Sequence, residues 1–341
     1  MPQPSWQDGV VRLRSPRIRS VRVASLTVWV KFGTAQAATT ICPSNESVPQ
    51  DSWDEEDVMP RRRQPTARQE RLGGELRKLR EAAGLKAREA AALVGCDSAQ
   101  MSQMESGIGG VSEERLRRLA AHYSCADPDL IESLVTMAND RTHGWWEEYR
   151  SLLPTSFMDL SELEHHATFR WDVDCLYVPG LLQTEEYARR VFSHRVPELP
   201  RGELDLRVAH RMARRTIIDG DRPIPYKAVV HEAALRIKVG NRAVAQAQLD
   251  RIQELSEADH VTVRVIPFAL DDFIDAGSAM VFAGGPVPKL DTVVRDAPHG
   301  SAFVDSEAQL NSFRTLFRRV EASSLEPERS RDFIHRLAKE L

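Results

Sequence analysis

The chain has 341 residues, of which 42% are hydrophobic, and carries a formal net charge of −4. That length and apolar content exclude a single small domain or a wholly disordered polypeptide and imply two or three folded units. Charge is uneven: Met59 to Arg118 holds thirteen Lys and Arg against eight Asp and Glu, a basic module on a more acidic body. Cys42, Cys96, Cys125 and Cys175 are far apart and form no CxxC pair, so a reducing, cytoplasmic setting without disulfides or a zinc site is expected. No apolar run approaches the length of a membrane span, so no membrane contact is expected.

Met1 to Val58 does not read as part of a domain. Five arginines (Arg12, Arg14, Arg17, Arg19, Arg22) precede a brief apolar patch at Val28 to Val30, a polar stretch and the acidic run Asp54-Glu55-Glu56-Asp57. A secretory leader fits poorly, because the apolar stretch is short and Lys31 interrupts it. Residues 1–58 are read as a disordered extension or a mis-assigned start. Met59-Pro60-Arg61-Arg62-Arg63 would then begin the functional chain with a basic arm.

From about Ala67 to Ala83, Leu72, Leu76, Leu79 and Ala83 recur at helical spacing. Ala87 to Gly107 reads as two short helices around a tight turn. Ala90, Ala91 and Val94 form the stripe of the first, and Gly95 ends it in a left-handed conformation that glycine tolerates. Cys96 is a small apolar plug, Asp97 or Ser98 caps the second helix, and Met101 with Met104 turns one face inward. Ser98, Ala99, Gln100, Ser102 and Gln103 then face outward, a row of small or amide side chains suited to base edges in a DNA major groove. Gly109-Gly110 breaks the chain. Ser112-Glu113-Glu114 opens a helix with Leu116, Leu119, Ala120 and Tyr123 inward, and Asp127-Pro128-Asp129 opens another with Leu130, Ile131, Leu134 and Val135. Five helices in this space make a small α-domain ending near Asn139.

These residues resemble the Cro/cI, or xenobiotic-response-element, type of helix-turn-helix transcriptional regulator. Ala91, Gly95, Met101, Met104 and the following Glu105-Ser106-Gly107 carry the resemblance, with the LGGELRKLREAAGL segment matching the first helix. It implies a double-stranded DNA operator as partner, a homodimer, and an Arg80–Glu105 pair that clamps the recognition helix to helix one. It also exposes departures. Lys86 and Ala87 stand where that family has Thr-Gln, so Lys86 and Arg88 are the candidate phosphate contacts, as flexible charges. The loop Ile108 to Val111 has no basic residue. The candidate DNA-binding set is thus Lys86, Arg88, Ser98, Ala99, Gln100, Ser102 and Gln103, with Arg80, Ala91, Gly95, Met101, Met104, Glu105 and Gly107 structural.

After Arg141-Thr142-His143-Gly144, a unit of different character starts at Trp145-Trp146. Tyr226 to His231, Val261 to Phe268, Ala279 to Phe282 and Thr292 to Arg295 have strand composition. Ala243 to Ser256 and two closing segments, Asp305 to Ala322 and Pro327 to Lys339, read as helices. Thr184 caps a helix led by Glu185 and Glu186. The fold class expected is multidomain: an all-α five-helix helix-turn-helix domain (59–140) and then a mixed α/β (α+β) domain (145–341), with a β-α-β start followed by antiparallel strands.

The string Val178-Pro179-Gly180-Leu181-Leu182-Gln183-Thr184-Glu185-Glu186-Tyr187-Ala188 is similar to the C-terminal domain of unknown function in actinobacterial WhiJ-like and antitoxin-like regulators. Trp145-Trp146, Leu163-Glu164, Arg207 to Arg215 and Glu232-Ala233-Ala234-Leu235 support it. The resemblance implies a small companion protein as a further partner. No chemistry is expected. Glu164-His165-His166 with Asp172 and Asp174 lacks metal-ligand spacing and reads as surface histidines on a helix, and there is no nucleophile elbow, P-loop or dinucleotide fingerprint. The expected protein is a DNA-binding transcriptional regulator, not an enzyme, with neither cofactor nor metal.

Overall fold

A computed structural model describes residues 64–270, 279–297 and 300–341. The readings made for residues 1–58, for the arm Arg61 to Arg63 and for Cys42 lie outside the described residues.

Five helices open the described chain: α1 (Ala67–Ala82), α2 (Ala87–Leu93), α3 (Ser98–Glu105), α4 (Glu113–His122) and α5 (Pro128–Asn139). Their boundaries follow from side-chain caps. Thr66, Asp97, Ser112 and Asp127 each accept a hydrogen bond from the first turn they precede. Leu72, Leu76, Ala90, Ala91, Val94, Met101, Met104, Leu116, Leu119, Tyr123, Leu130 and Leu134 fill one core. Ala83, expected in the stripe of α1, is exposed instead, because the helix has ended and Ala83 is its C-cap.

A short 3-10 turn, Trp145–Tyr149, leads to α6 (Thr155–His166) and then to β1 (Phe169–Asp174). The 3-10 turn Gly180–Leu182, α7 (Glu185–Ser193), α8 (Glu203–Ala213) and the single turn α9 (Thr216–Asp219) precede β2 (Tyr226–His231). Next come α10 (Glu232–Arg236), α11 (Arg242–Leu255), β3 (Val261–Ile266), β4 (Met280–Gly284), β5 (Thr292–Ala297), β6 (Gly300–Val304), α12 (Glu307–Ser323) and α13 (Pro327–Glu340). Among the described residues the strands form one six-stranded sheet in the order β3-β2-β1-β4-β5-β6. β1, β2 and β3 are parallel, with Asp172 opposite Ala228 and Ala228 opposite Val263, while β4, β5 and β6 run antiparallel. This is the expected mixed domain, with a parallel half and a meander half.

Helices cover both sheet faces, so strand residues alternate between two cores. Tyr226, Ala228, Val230, Val261, Val263 and Val265 pack with α11 and α13, through Leu249, Ile252, Ile334 and Leu337. Val173, Val229, Phe282 and Val293 pack on the other face with Leu310, Phe317 and Val320 of α12.

The central strand β1 was not expected, because two of its six residues are charged and buried. Arg170 and Asp172 are each 1% exposed. The Arg170 guanidinium donates to both Asp172 oxygens, at 2.8 and 2.9 Å, and to Glu164 of α6. Arg214 donates to the two Glu164 oxygens at 2.8 and 2.5 Å, and the Tyr226 hydroxyl donates to Asp172 at 2.8 Å. Burial beside Asp172 pushes the Tyr226 hydroxyl well above its ordinary pKa, which keeps its proton in place as a donor. Two arginines thus meet two carboxylates in a dry site, where opposite charges offset part of one another's desolvation. The metal-ligand group weighed above is therefore engaged otherwise: Glu164 and Asp172 serve arginines, and His166 lies 3.0 Å from Asp140.

His210 of α8 is 1% exposed, within 3.0 Å of Ser161, and ringed by Trp145, Tyr149 and Phe157 at centroid distances of 5.1–5.2 Å. Burial first, then Arg214 and Arg211, pushes its pKa down to about 3. In the unfolded chain His210 takes up a proton below the ordinary value of about 6.5. Native His210 stays neutral far below that, so stability is full above pH 6.5 and is lost as pH falls towards 3. Each pH unit in that window costs about 1.4 kcal/mol for one such group. A His210→Phe variant, which keeps a ring in the box, is expected to lose about 2 kcal/mol less than the wild type between pH 6.5 and pH 5 in urea titrations; parallel losses would exclude this source.

Candidate nucleic-acid interface

The turn between α2 and α3 follows from three local features. Gly95 has φ +67°, Cys96 N–H returns to the Ala91 carbonyl at 3.0 Å, and Asp97 caps α3 by accepting from Gln100 N–H at 2.7 Å. Met101 and Met104 are 1% and 4% exposed. With that stripe buried, Ser98, Ala99, Gln100, Ser102 and Gln103 all lie exposed on the outer side of α3. The five therefore share one surface of one helix. Gln100 has a second task, since its Oε1 also accepts from Asp97 N–H at 3.4 Å. Gln103 has no such tie among the described residues, which makes it the less encumbered amide.

Lys86 and Arg88 are exposed at the start of α2. Lys86 is the N-cap residue and contributes only its backbone there: its N–H donates to Glu89 Oε2 at 2.7 Å, and its ammonium group has no capping role. Sequence reasoning overlooked Arg118, whose guanidinium reaches the Leu93 carbonyl at 3.2 Å and ties α4 to the end of α2.

Two devices hold α3 against α1. Arg80 and Glu105 form a two-pronged pair, Nε to Oε1 at 2.6 Å and Nη2 to Oε2 at 2.9 Å, with both side chains 9% exposed. The remaining Arg80 nitrogen donates to the Leu85 carbonyl at 2.8 Å. The second device is the absence of side chains. A Cβ on Gly73 would lie 2.6 Å from the Met104 carbonyl oxygen, and one on Gly107 would lie 2.7 Å from the Gln69 backbone. Gly107 also has φ +74°. Backbone thus lies on backbone.

The other side of α1 meets the sheet domain. Arg71, itself buried, donates to the carbonyls of Lys289 at 2.5 Å and Asp291 at 3.4 Å, and pairs with Glu75 at 3.0 Å and Asp305 at 3.3 Å. Ala67 N–H donates to Asp159 of α6 at 3.0 Å, and Lys289 pairs with Asp127 at 3.0 Å. Val287 belongs to the same apolar cluster as Leu72 and Leu134. Helix α1 is therefore packed between the recognition helix and the Val287–Asp291 turn.

A helix-turn-helix with an open, uncharged outer face on its second helix, joined to a six-stranded α/β domain, defines a two-domain DNA-binding protein. Comparison with known families agrees: residues 71–134 match a helix-turn-helix domain, and residues 157–336 match the domain of unknown function DUF5753. The second match spans more than half of the chain, which belongs to the DUF5753 family. No curated protein and no solved structure matches it. Among the described residues, no helix is long and apolar enough to cross a membrane, and no group of three or more His, Cys, Asp or Glu is placed to hold a metal ion.

Proposed function

We propose that the protein is a cytoplasmic, sequence-specific transcriptional regulator of the Cro/cI, xenobiotic-response-element type. It acts as a homodimer on a pseudo-palindromic operator, one α3 per half-site. Its sheet domain receives a signal from a partner protein or small ligand and has no catalytic role. The observation that carries this reading is the exposure of all five outward residues of α3 over a buried Met101–Met104 stripe. Lys86 and Arg88 supply phosphate contacts, and Gln103 pairs with adenine in the groove.

Genome-wide mapping of bound sites with the wild type and with Gln103→Ala tests it. Loss of an amide–adenine pair removes about 1–3 kcal/mol of discrimination, so the variant is expected to lose preference for adenine at one position per half-site. An unchanged site preference would reject the reading face.

A second reading makes the chain an antitoxin-like module that binds a small companion protein and regulates its own operon. Four exposed apolar residues favour it: Leu176 and Tyr177 after β1, Ile237 after α10, and Phe268 after β3, at 61%, 50%, 42% and 60% exposure. The parallel register brings the C-terminal ends of β1, β2 and β3 to one end of the sheet, from which the segments carrying these side chains leave. A stoichiometric complex with a small protein encoded next to it would favour this reading over sensing of a small molecule.

A further inference from the structure

The turn after α3 carries an apolar side chain that the fold does not use. Ile108 is 60% exposed, far more than Leu93, the other large exposed apolar residue of the first five helices, at 38%. Its neighbours are fixed on both sides. Gly107 lies against the backbone of Gln69 and Glu70, and Gly109 N–H donates to the Gln103 carbonyl at 2.9 Å. Gly109 is also close enough to α3 that a Cβ there would sit 3.1 Å from the Gln103 Cβ. The turn therefore folds back along the flank of Gln103, and Ile108 is exposed between two glycines whose backbone is held, one residue from the one that packs on Gln103.

We infer that Ile108 reads a thymine methyl group in the operator, as an apolar extension of the face that holds Gln103. This rests on the assignment of α3 as the DNA reader. From Ile108 to Val111 the turn contains no charged residue, so its side chains cannot neutralise a phosphate. What it offers is apolar area, and in the major groove the apolar feature that distinguishes base pairs is the C5-methyl of thymine. An amide suits adenine, so Gln103 and Ile108 together address a short A·T-containing step. Because the turn is held at both ends, little ordering entropy opposes the contact.

Full-length protein is used to select operator fragments in vitro, and each thymine is then replaced by deoxyuridine, which removes only the methyl. Kd is measured by fluorescence anisotropy for the wild type, Ile108→Ala and Ile108→Val. Burying one methyl corresponds to about a four-fold change in Kd. The wild type is expected to weaken about four-fold at one dT→dU position per half-site. Ile108→Ala should start weaker and show no further loss there, whereas Ile108→Val should retain part of the sensitivity. Equal methyl sensitivity in wild type and Ile108→Ala, or none in the wild type, overturns the inference. A loss of dimer in Ile108→Ala by sedimentation, with methyl sensitivity kept, also overturns it and gives Ile108 to a second copy of the chain. If the wild type retains no fragment in the selection, the DNA-reading assignment itself falls, an outcome distinct from bound but methyl-indifferent DNA.

Discussion

Arg80→Ala is expected to lower unfolding stability by about 3 kcal/mol and to weaken operator binding. The substitution leaves the Glu105 carboxylate nearly dry and without its two-pronged partner, and leaves the Leu85 carbonyl short of a donor. An uncompensated buried charge costs far more than a lost surface pair, whose typical value is about 0–1 kcal/mol. The DNA effect is indirect, since Glu105 ends the recognition helix and its release lets α3 move relative to α1. Arg80→Lys keeps the charge but loses the planar fork, so it should fall between the two. Urea titration followed by circular dichroism measures the loss, and a midpoint equal to that of the wild type would remove the clamp from the account.

Glu164→Ala is expected to be more damaging, with a loss of about 3–5 kcal/mol or failure to fold. Glu164 is 1% exposed and serves both Arg170 and Arg214. Without it, Arg170 and Arg214 each lose their Glu164 carboxylate inside the buried site. The disturbance reaches β1, which pairs with β2 on one side and β4 on the other. Glu164→Gln keeps shape and some hydrogen bonding but not the charge, and should lose less. The readout is the same denaturant titration, together with recovery of soluble protein. If Glu164→Ala matched the wild-type midpoint, the network would have to be reached by water.

The same residues show which parts of the fold were legible in the sequence. The first five helices were readable because their caps, turn glycine and apolar spacing are local signals: Thr66, Asp97, Ser112 and Asp127 each act within one turn. β2 was legible as a run of apolar and β-branched residues at Tyr226–His231, and β3 and β5 were found to within a few residues. β1 was missed for a physical reason. Its stability comes from charges that cancel only in three dimensions, with Glu164 before the strand and Arg214 far after it. Chemical type alone marks Arg170 and Asp172 as surface residues. The outward set on α3 could be read from the position of Met101 and Met104. The second task of Gln100, the tie from Arg118 to Leu93 and the contacts of Arg71 could not, because each depends on a backbone group whose position only the fold supplies.

Helix α1 has no slack on either side. Missing side chains at Gly73 and Gly107 set its spacing to the recognition helix, and the Arg71 guanidinium fixes its other flank to the carbonyls of Lys289 and Asp291. A displacement of the Val287–Asp291 turn therefore has only the width of one helix, about 10 Å, to cross before it reaches α3. Under the proposed function, a ligand or partner that shifts that turn and with it α3 changes operator affinity by the same factor by which operator DNA changes affinity for it. Titrating the full-length protein with such a ligand or partner, with DNA present and absent, would then measure that coupling from the opposite end, the ligand and the nucleic acid exchanging roles as effector.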